Sequence, residues 1–339
     1  MTYNVLILFT KLNSPVLLGL ELYDSLSRYK ELKIYFRHSY FISKEDIKSY
    51  DIVIPIDVTS QQYYNSLECS KFFSHYTNIY EILDDKSSCY EIVKKHTQIK
   101  QIPTYTNNSN ISVSEFINIH PSEKYIIKNT TGYAALYQSI VNKHQLKKRS
   151  KKSLNNSIVQ PVIENFNLYS LDALCKNGVI LNDLFTIVGD NGLKFSDFIV
   201  NSIKTEVVDD PLLYKPIKSF CDSVVKECHY SGLIEFEFIE KDKQVYFLEI
   251  NPRICGHIGQ KDINKNSIYY NKIIKPYFKE YGIDLPCQFT TYKTFSGSSL
   301  QNVIPLIFNL NPVLFITIGV IYFYLLILII KKYNLLRHL

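Results

Sequence analysis

Along the first third of the chain, short runs of apolar, β-branched and aromatic residues alternate with longer stretches of helical character. Residues 3–9 (YNVLILF) and 32–36 (LKIYF) read as strands, and between them Leu17, Leu20, Leu22 and Leu26 share one helix face. A third apolar run begins at Asp51 (DIVIPI) and follows a helical stretch around Lys44 to Tyr50. This is a βαβ beginning. It predicts an α/β (α+β) fold that opens with a mostly parallel sheet covered by helices.

Further on, residues 83–105 (LDDKSSCYEIVKKHTQIKQIPTY) predict a helix of about four turns, started by the Asp84/Asp85 pair and ended before Pro103. Residues 125–128 (YIIK) form a strand leading into a Thr-Thr-Gly turn. The basic, Ser/Asn-rich stretch 143–157 is a loop or exposed helix end, and 158–164 (IVQPVIE) is another strand. Residues 168–188 alternate about Asn177-Gly178, which reads as a β-hairpin. A helix near Leu213 to His229 precedes a last pair of strands from Gly232 to Arg253, GLIEFEFIEKDKQVYFLEINPR.

That last hairpin carries the candidate chemistry. Successive side chains of a strand face opposite ways, so Glu235 and Glu237 share one face, as do Glu249 and Asn251 on the return strand. A turn at Lys241-Asp242-Lys243 makes the two strands neighbours, and Glu237, Glu249 and Asn251 then converge as three hard oxygen ligands with Arg253 beside them. Such a set suits Mg²⁺ and phosphate oxygens. The competing reading is a surface hairpin with a solvated acidic face. Against it, Glu249 lies inside the apolar run VYFLEI, where an unpaired carboxylate would cost several kcal/mol.

The composition changes this picture little: 46% of the 339 residues are hydrophobic and 21% charged, which excludes a collagenous or broadly disordered chain. The net charge of +6 is partly local, with Lys143, Lys147, Lys148, Arg149, Lys151 and Lys152 close together. That cluster lacks interleaved aromatics, so no nucleic-acid partner is expected. Seven cysteines without a CxxC pair suggest neither a disulfide framework nor a zinc site.

One segment stands apart. Residues 312–330 (PVLFITIGVIYFYLLILII) run without a charge, about the length that crosses a roughly 30 Å hydrocarbon core, and Lys331 and Lys332 close the run. A transmembrane helix acting as a tail anchor is expected. Lys331, Lys332 and Arg337 favour the cytosolic side by the positive-inside bias. The N-terminus, however, reads as a strand rather than a signal peptide, so the large domain is expected in the cytosol.

The text GLIEFEF, a turn, then VYFLEINPR resembles the signature of the ATP-grasp superfamily, and further elements follow in that family's order. Asp85-Lys86, a helix and Ile102-Pro103 resemble its opening element. Tyr125 to Lys128 resembles the strand bearing its second nucleotide lysine, Val159 to Ile163 the hinge facing adenine, and Tyr169 to Asp172 the strand after the hinge. The resemblance implies a pre-ATP-grasp βαβ domain over 1–84 and an ATP-grasp domain over 85–297. A linker (298–311), the membrane helix (312–330) and a short tail (331–339) complete the chain.

It further implies ATP with Mg²⁺ or Mn²⁺ as cofactors. Glu237, Glu249 and Asn251 match the metal ligands, Arg253 the residue on the transferred phosphate, and Lys86 and Lys128 the cations on the nucleotide phosphates. Gln160, Pro161, Val162 and Ile163 would meet adenine through backbone groups, and Asn167 would meet the ribose. The activity implied is ligation of a small-molecule carboxylate to an amine through an acyl phosphate. Two positions depart from the family pattern: the text after Lys128 (NTTGYAA) holds a single glycine, and Asn167 stands where a glutamate is usual. These departures favour the alternative, a membrane-tethered ATP-binding scaffold with weakened catalysis. His257 is expected to be structural.

Overall fold

The computed structural model describes residues 2–10, 19, 22–23, 26–27, 29–67, 78–131, 138–149, 151–193, 205–254 and 268–285. The glycine of the turn after Lys128, His257, the linker and the apolar run 312–330 lie outside them. Among the described residues no helix is long and apolar enough to cross a membrane.

The expected parallel opening strands are present, while the helix expected between the first two, on Leu17, Leu20, Leu22 and Leu26, lies mostly outside the described residues. Strands β1 (Tyr3–Phe9), β2 (Leu32–His38) and β3 (Ile52–Pro55) form a parallel sheet in the order β2-β1-β3. Val5 to Phe9 are all buried, as expected of a parallel strand covered on both faces. Two short helices follow β2 and β3, α1 (Lys44–Lys48) and α2 (Val58–Ser66). Each starts in a capping box, Ser43 with Asp46 and Asp57 with Ser60, so the first amides of each helix are satisfied by side chains.

The long helix expected over 83–105 is instead two short helices and a strand. Helix α3 (Ile79–Asp84) stops at Asp85, whose ψ of 110° is extended, and Asp85 then caps α4 (Lys86–Val93) by accepting from the Ser88 amide at 2.8 Å. The carboxylate that starts the second helix therefore ends the first. Beyond α4 the chain turns, and β4 (Lys100–Gln101) pairs in parallel with a later strand while Ile99 and Ile102 are buried on either side of it. Burial of these isoleucines and ladder bonding override the helical pattern read from the sequence.

A small antiparallel sheet comes next, with β5 (Lys124–Asn129) between β6 (Gln138–Asn142) and β7 (Ser157–Pro161). Helices α5 (Val113–Ile119) and α6 (Lys143–Lys147) cover it around a core of its own that includes Tyr105, Phe116, Tyr125, Leu146 and Val159. The basic stretch is thus anchored by Leu146 while Lys143, Lys147, Lys148 and Arg149 face outward.

The largest sheet has the order β10-β9-β8-β11-β12-β4. Its strands β8 (Phe166–Lys176) and β9 (Val179–Leu193) meet at Asn177-Gly178, both with positive φ, as the sequence predicts for a two-residue hairpin turn. Strand β10 (Thr205–Val207) closes one edge. Helix α7 (Pro211–Glu227), capped by Asp210, crosses one face, and its buried Ile217, Phe220, Cys221, Val224 and Val225 join the main core. Strands β11 (Gly232–Lys241) and β12 (Gln244–Asn251) follow, turning at Asp242-Lys243, where both residues take positive φ without a glycine.

A π-helical turn (Tyr270–Ile274) leads into α8 (Lys275–Glu280), which docks on the first sheet through Tyr277, whose hydroxyl donates to the Val53 carbonyl at 2.7 Å. One buried cluster runs from Val5 through Leu83 and Val93 to Phe238 and Phe278, so the parallel sheet and the large sheet share a core. The free cysteines 89, 175, 221 and 228 are all buried.

Candidate functional site

The β11–β12 ladder sets the site. Glu237 lies directly opposite Glu249, and Glu235 opposite Asn251, so the four side chains share one face, as the sequence pattern implies. On the other side of β11, Glu237 faces Ser170 and Glu235 faces Asp172 of β8. A polar row therefore crosses three strands. The strands also hold a feature absent from strict alternation: the register slips between Glu237 and Phe238, so Phe247 rather than Leu248 faces Phe238. The extra residue that this bulge inserts on β12 is Leu248, which lines the cleft beside Glu249. No residue type in VYFLEI marks it.

The cleft, whose water-accessible interior is only about 20 Å³, lies between the small sheet and the large one. Lys86, Cys89 and Tyr90 of α4 line one side, Ile158 and Gln160 of β7 another, and Phe247 to Ile250 the floor. Lys86 stands at the first position of α4 because Asp85 is its cap, and its amide donates to Thr130 at 2.8 Å, which ties the helix start to the segment after β5. Its Nζ lies 3.5 Å from Glu249 Oε2. Lys128, in the central strand of the small sheet, is 5% exposed. Arg253 donates from Nη2 to Asn251 Oδ1 at 3.1 Å and from Nη1 to the Ile254 carbonyl at 3.1 Å.

The electrostatics follow from this crowding. Burial, then the neighbouring Glu249 and Glu235 carboxylates, push Glu237 well above the usual carboxylate range against the pull of Arg253 and Lys128. Burial also opposes the charge of Glu249, but Lys86, Lys128 and Arg253 outweigh it and hold Glu249 below the usual value. Lys86 loses to burial less than it gains from Glu249 and Asp84, so it is raised. For Lys128 burial wins, helped by the like charge of Lys86, and its ammonium is depressed. Two facing carboxylates, one of them forced toward its neutral form, beside a desolvated lysine make a site poised for a cation and phosphate oxygens together.

Glu237, Glu249 and Asn251 fit a Mg²⁺ ion in donor chemistry: three hard oxygens on one face, with like-charge repulsion between the carboxylates that a cation would relieve. Among the described residues no group of three or more His, Cys, Asp or Glu is placed to hold a metal. Mg²⁺ is commonly held by one or two carboxylates with phosphate oxygens completing its coordination, and that is the donor chemistry Glu237, Glu249 and Asn251 offer.

The hinge residues divide. Gln160 is buried, and its side chain donates to Thr104 Oγ1 at 2.9 Å. Val162 donates its N–H to the Lys124 carbonyl at 3.0 Å, whereas Val159 bonds the other way, to Tyr105. By that alternation the Pro161 C=O points away from β5, and Ile163 lies beyond the end of β7. Asn167 is not brought to the cluster. Phe166 and Leu168, on either side of it, belong to an apolar group with Ile102, Ile163 and Leu248, so Asn167 faces the opposite way, where its Nδ2 donates to Glu240 Oε2 at 2.7 Å. Sequence reading also left Glu235 and Ser170 without roles, although the alternation in GLIEFEF places Glu235 on the site face.

The order of these elements matches known proteins. Residues 83–257, more than half of the chain, match the family model described as an ATP-grasp domain. A D-alanine–D-alanine ligase from Bacillus anthracis superimposes with a TM-score of 0.55 at 15% identity, covering 84% of this chain and 93% of the ligase. The corresponding ligase from Coxiella burnetii gives 0.56 at 10% identity, with 84% and 92% covered. N5-carboxyaminoimidazole synthetase from Staphylococcus aureus, complexed with ADP, gives 0.54 at 13% identity, with 84% and 78% covered. Comparison with curated protein sequences finds no match. The chain belongs to the ATP-grasp family.

Proposed function

We propose that the protein is an ATP-dependent ligase that activates a small-molecule carboxylate as an acyl phosphate and joins it to an amine. The observation that carries the reading is the in-register Glu237–Glu249 pair with Lys86 and Arg253 within reach, at the floor of a cleft between two sheets. Similar folds include a D-alanine–D-alanine ligase complexed with ATP, which matches with a TM-score of 0.53 at 14% identity.

In this reading Glu237, Glu249 and Asn251 hold Mg²⁺, and Lys86 and Lys128 hold the nucleotide phosphates. The adenine edge meets Pro161 C=O and Ile163 N–H. Bound Mg·ATP would supply the phosphoryl group and the cationic charge that offsets its oxygens. The substrate carboxylate takes the γ-phosphoryl group and ADP is left. The amine then attacks the acyl carbon, phosphate departs, and an amide C–N bond has replaced the acyl C–O bond. Arg253 neutralises charge on the phosphoryl group during both displacements, and the burial of Lys128 strengthens its attraction for phosphate by excluding water.

An ATP-binding scaffold with weakened turnover is the second reading. It is favoured by Asn167, which faces Glu240 rather than the cleft and so leaves the ribose without the expected partner. Incubating the full-length protein with Mg·ATP and a panel of amino acids and dicarboxylates separates the two. The ligase releases ADP only when its carboxylate is present, whereas a scaffold binds nucleotide and releases none with any member of the panel.

Residues 312–330 are proposed as a membrane anchor that leaves the large domain in the cytosol. Removing residues 305–339 should free the protein from salt-washed membranes, and sedimentation of the truncated protein with them would refute the anchor.

A further inference from the structure

Beside the metal-ligand set stands a carboxylate that the proposed reaction does not use. Glu235 is 6% exposed on β11, two residues before Glu237 on the same face and opposite Asn251 in the ladder. Its Oε1 accepts from Ser170 Oγ at 3.1 Å, and its Oε2 accepts from Asn251 Nδ2 at 3.0 Å. On the far side of the same amide, Asn251 Oδ1 accepts from Arg253 Nη2 at 3.1 Å.

The polarity of this chain of bonds is decided by chemistry. An asparagine amide has an oxygen end and a nitrogen end of nearly the same shape, so packing alone does not choose between them. A carboxylate only accepts, and a guanidinium only donates. Held between Glu235 and Arg253, Asn251 must turn its NH₂ toward Glu235 and its oxygen toward Arg253. That oxygen is the end a hard cation requires. Arg253 alone does not suffice during catalysis, because its donors are also wanted by phosphate, and the lock must then come from the buried side.

We infer that Glu235 is a positioning residue that fixes the amide of Asn251 with its oxygen directed to the metal and phosphate position. The inference rests on the proposed ligase reading and adds to it. It places Ser170 as the donor that steadies the other carboxylate oxygen, from the neighbouring strand. Outer residues of this kind typically contribute 10- to 100-fold in metal affinity.

The test uses full-length protein, ADP and Mn²⁺, with nucleotide binding followed by calorimetry and bound Mn²⁺ by electron paramagnetic resonance. Glu235→Gln keeps size and burial but can either donate or accept, so the Asn251 amide is free to turn over. Metal-free ADP binding should stay at the wild-type level, and Mn²⁺ affinity in the presence of ADP should fall at least about tenfold. Adding Asn251→Asp to Glu235→Gln returns an oxygen to both ends of residue 251 at unchanged total charge. This double variant should recover most of the lost Mn²⁺ affinity.

A merely structural Glu235 predicts otherwise: equal losses with and without metal, a lowered melting temperature, and no recovery in the double variant. Any of these overturns the assignment. If wild-type protein binds ADP with no dependence on Mn²⁺, the ligase reading falls and the assignment falls with it. If wild-type binding is metal-dependent and Glu235→Gln preserves that dependence in full, the assignment alone falls.

Discussion

The two faces of the large sheet are made by the same strands, yet they obey different rules. Toward α7, Phe238 packs its ring 5.9 Å from Phe220 and 6.1 Å from Phe247, all buried, and these rings need no partner beyond contact. Toward the cleft, the alternate residues Ser170, Asp172, Glu235, Glu237, Glu249 and Asn251 form a polar row in which each position depends on a neighbour's charge or hydrogen bond. Apolar burial stabilises in proportion to area and tolerates approximate fit. Buried carboxylates do the opposite and cost stability unless their partners are in place. A chain that keeps such a row on one face of its central sheet holds it for what it binds, while the other face holds the fold.

That division predicts that stability and chemistry can be damaged separately. Phe238→Ala should cost about 3–5 kcal/mol in urea unfolding by leaving a cavity under α7. Its nucleotide affinity, measured on the folded fraction, should remain. Arg253→Ala should leave ADP binding and the urea midpoint nearly as they are while turnover falls about 10²–10³-fold, roughly 3–4 kcal/mol in the barrier. If Arg253→Ala kept full activity on an identified substrate, the site built on the Asn-Pro-Arg triplet would have to be abandoned. Gly178→Ala tests a turn remote from both faces. Its φ of +78° and an added Cβ only 3.3 Å from the Lys226 backbone should cost about 1–2 kcal/mol of stability and nothing in turnover.

Much of this architecture was legible in the sequence because it is written in local periods. The parallel opening strands, the Asn177-Gly178 hairpin and the shared face of Glu237, Glu249 and Asn251 all follow from alternation and turn chemistry. What was illegible depends on partners distant along the chain. Asp85 reads as a helix start, and only the structure shows that it also ends α3 and places Lys86 at the mouth of the cleft. The slip after Glu237 depends on cross-strand register, and with it the sharing of the cleft by Leu248 and Glu249. Chain order alone points Asn167 to the ribose. Its neighbours Phe166 and Leu168 claim the cleft side and turn it toward Glu240.

The central claim is that the polar row is a site for nucleotide and metal together, with Glu249 at its centre. Calorimetric titration of ADP into wild-type protein and Glu249→Gln, each with and without Mg²⁺, tests it most directly. Glu249→Gln keeps the side chain's volume and removes the charge that faces both Glu237 and Lys86. The account predicts that Mg²⁺ tightens ADP binding to the wild type and that this enhancement disappears in Glu249→Gln. Wild-type binding indifferent to Mg²⁺, or an enhancement that survives intact in Glu249→Gln, would contradict it.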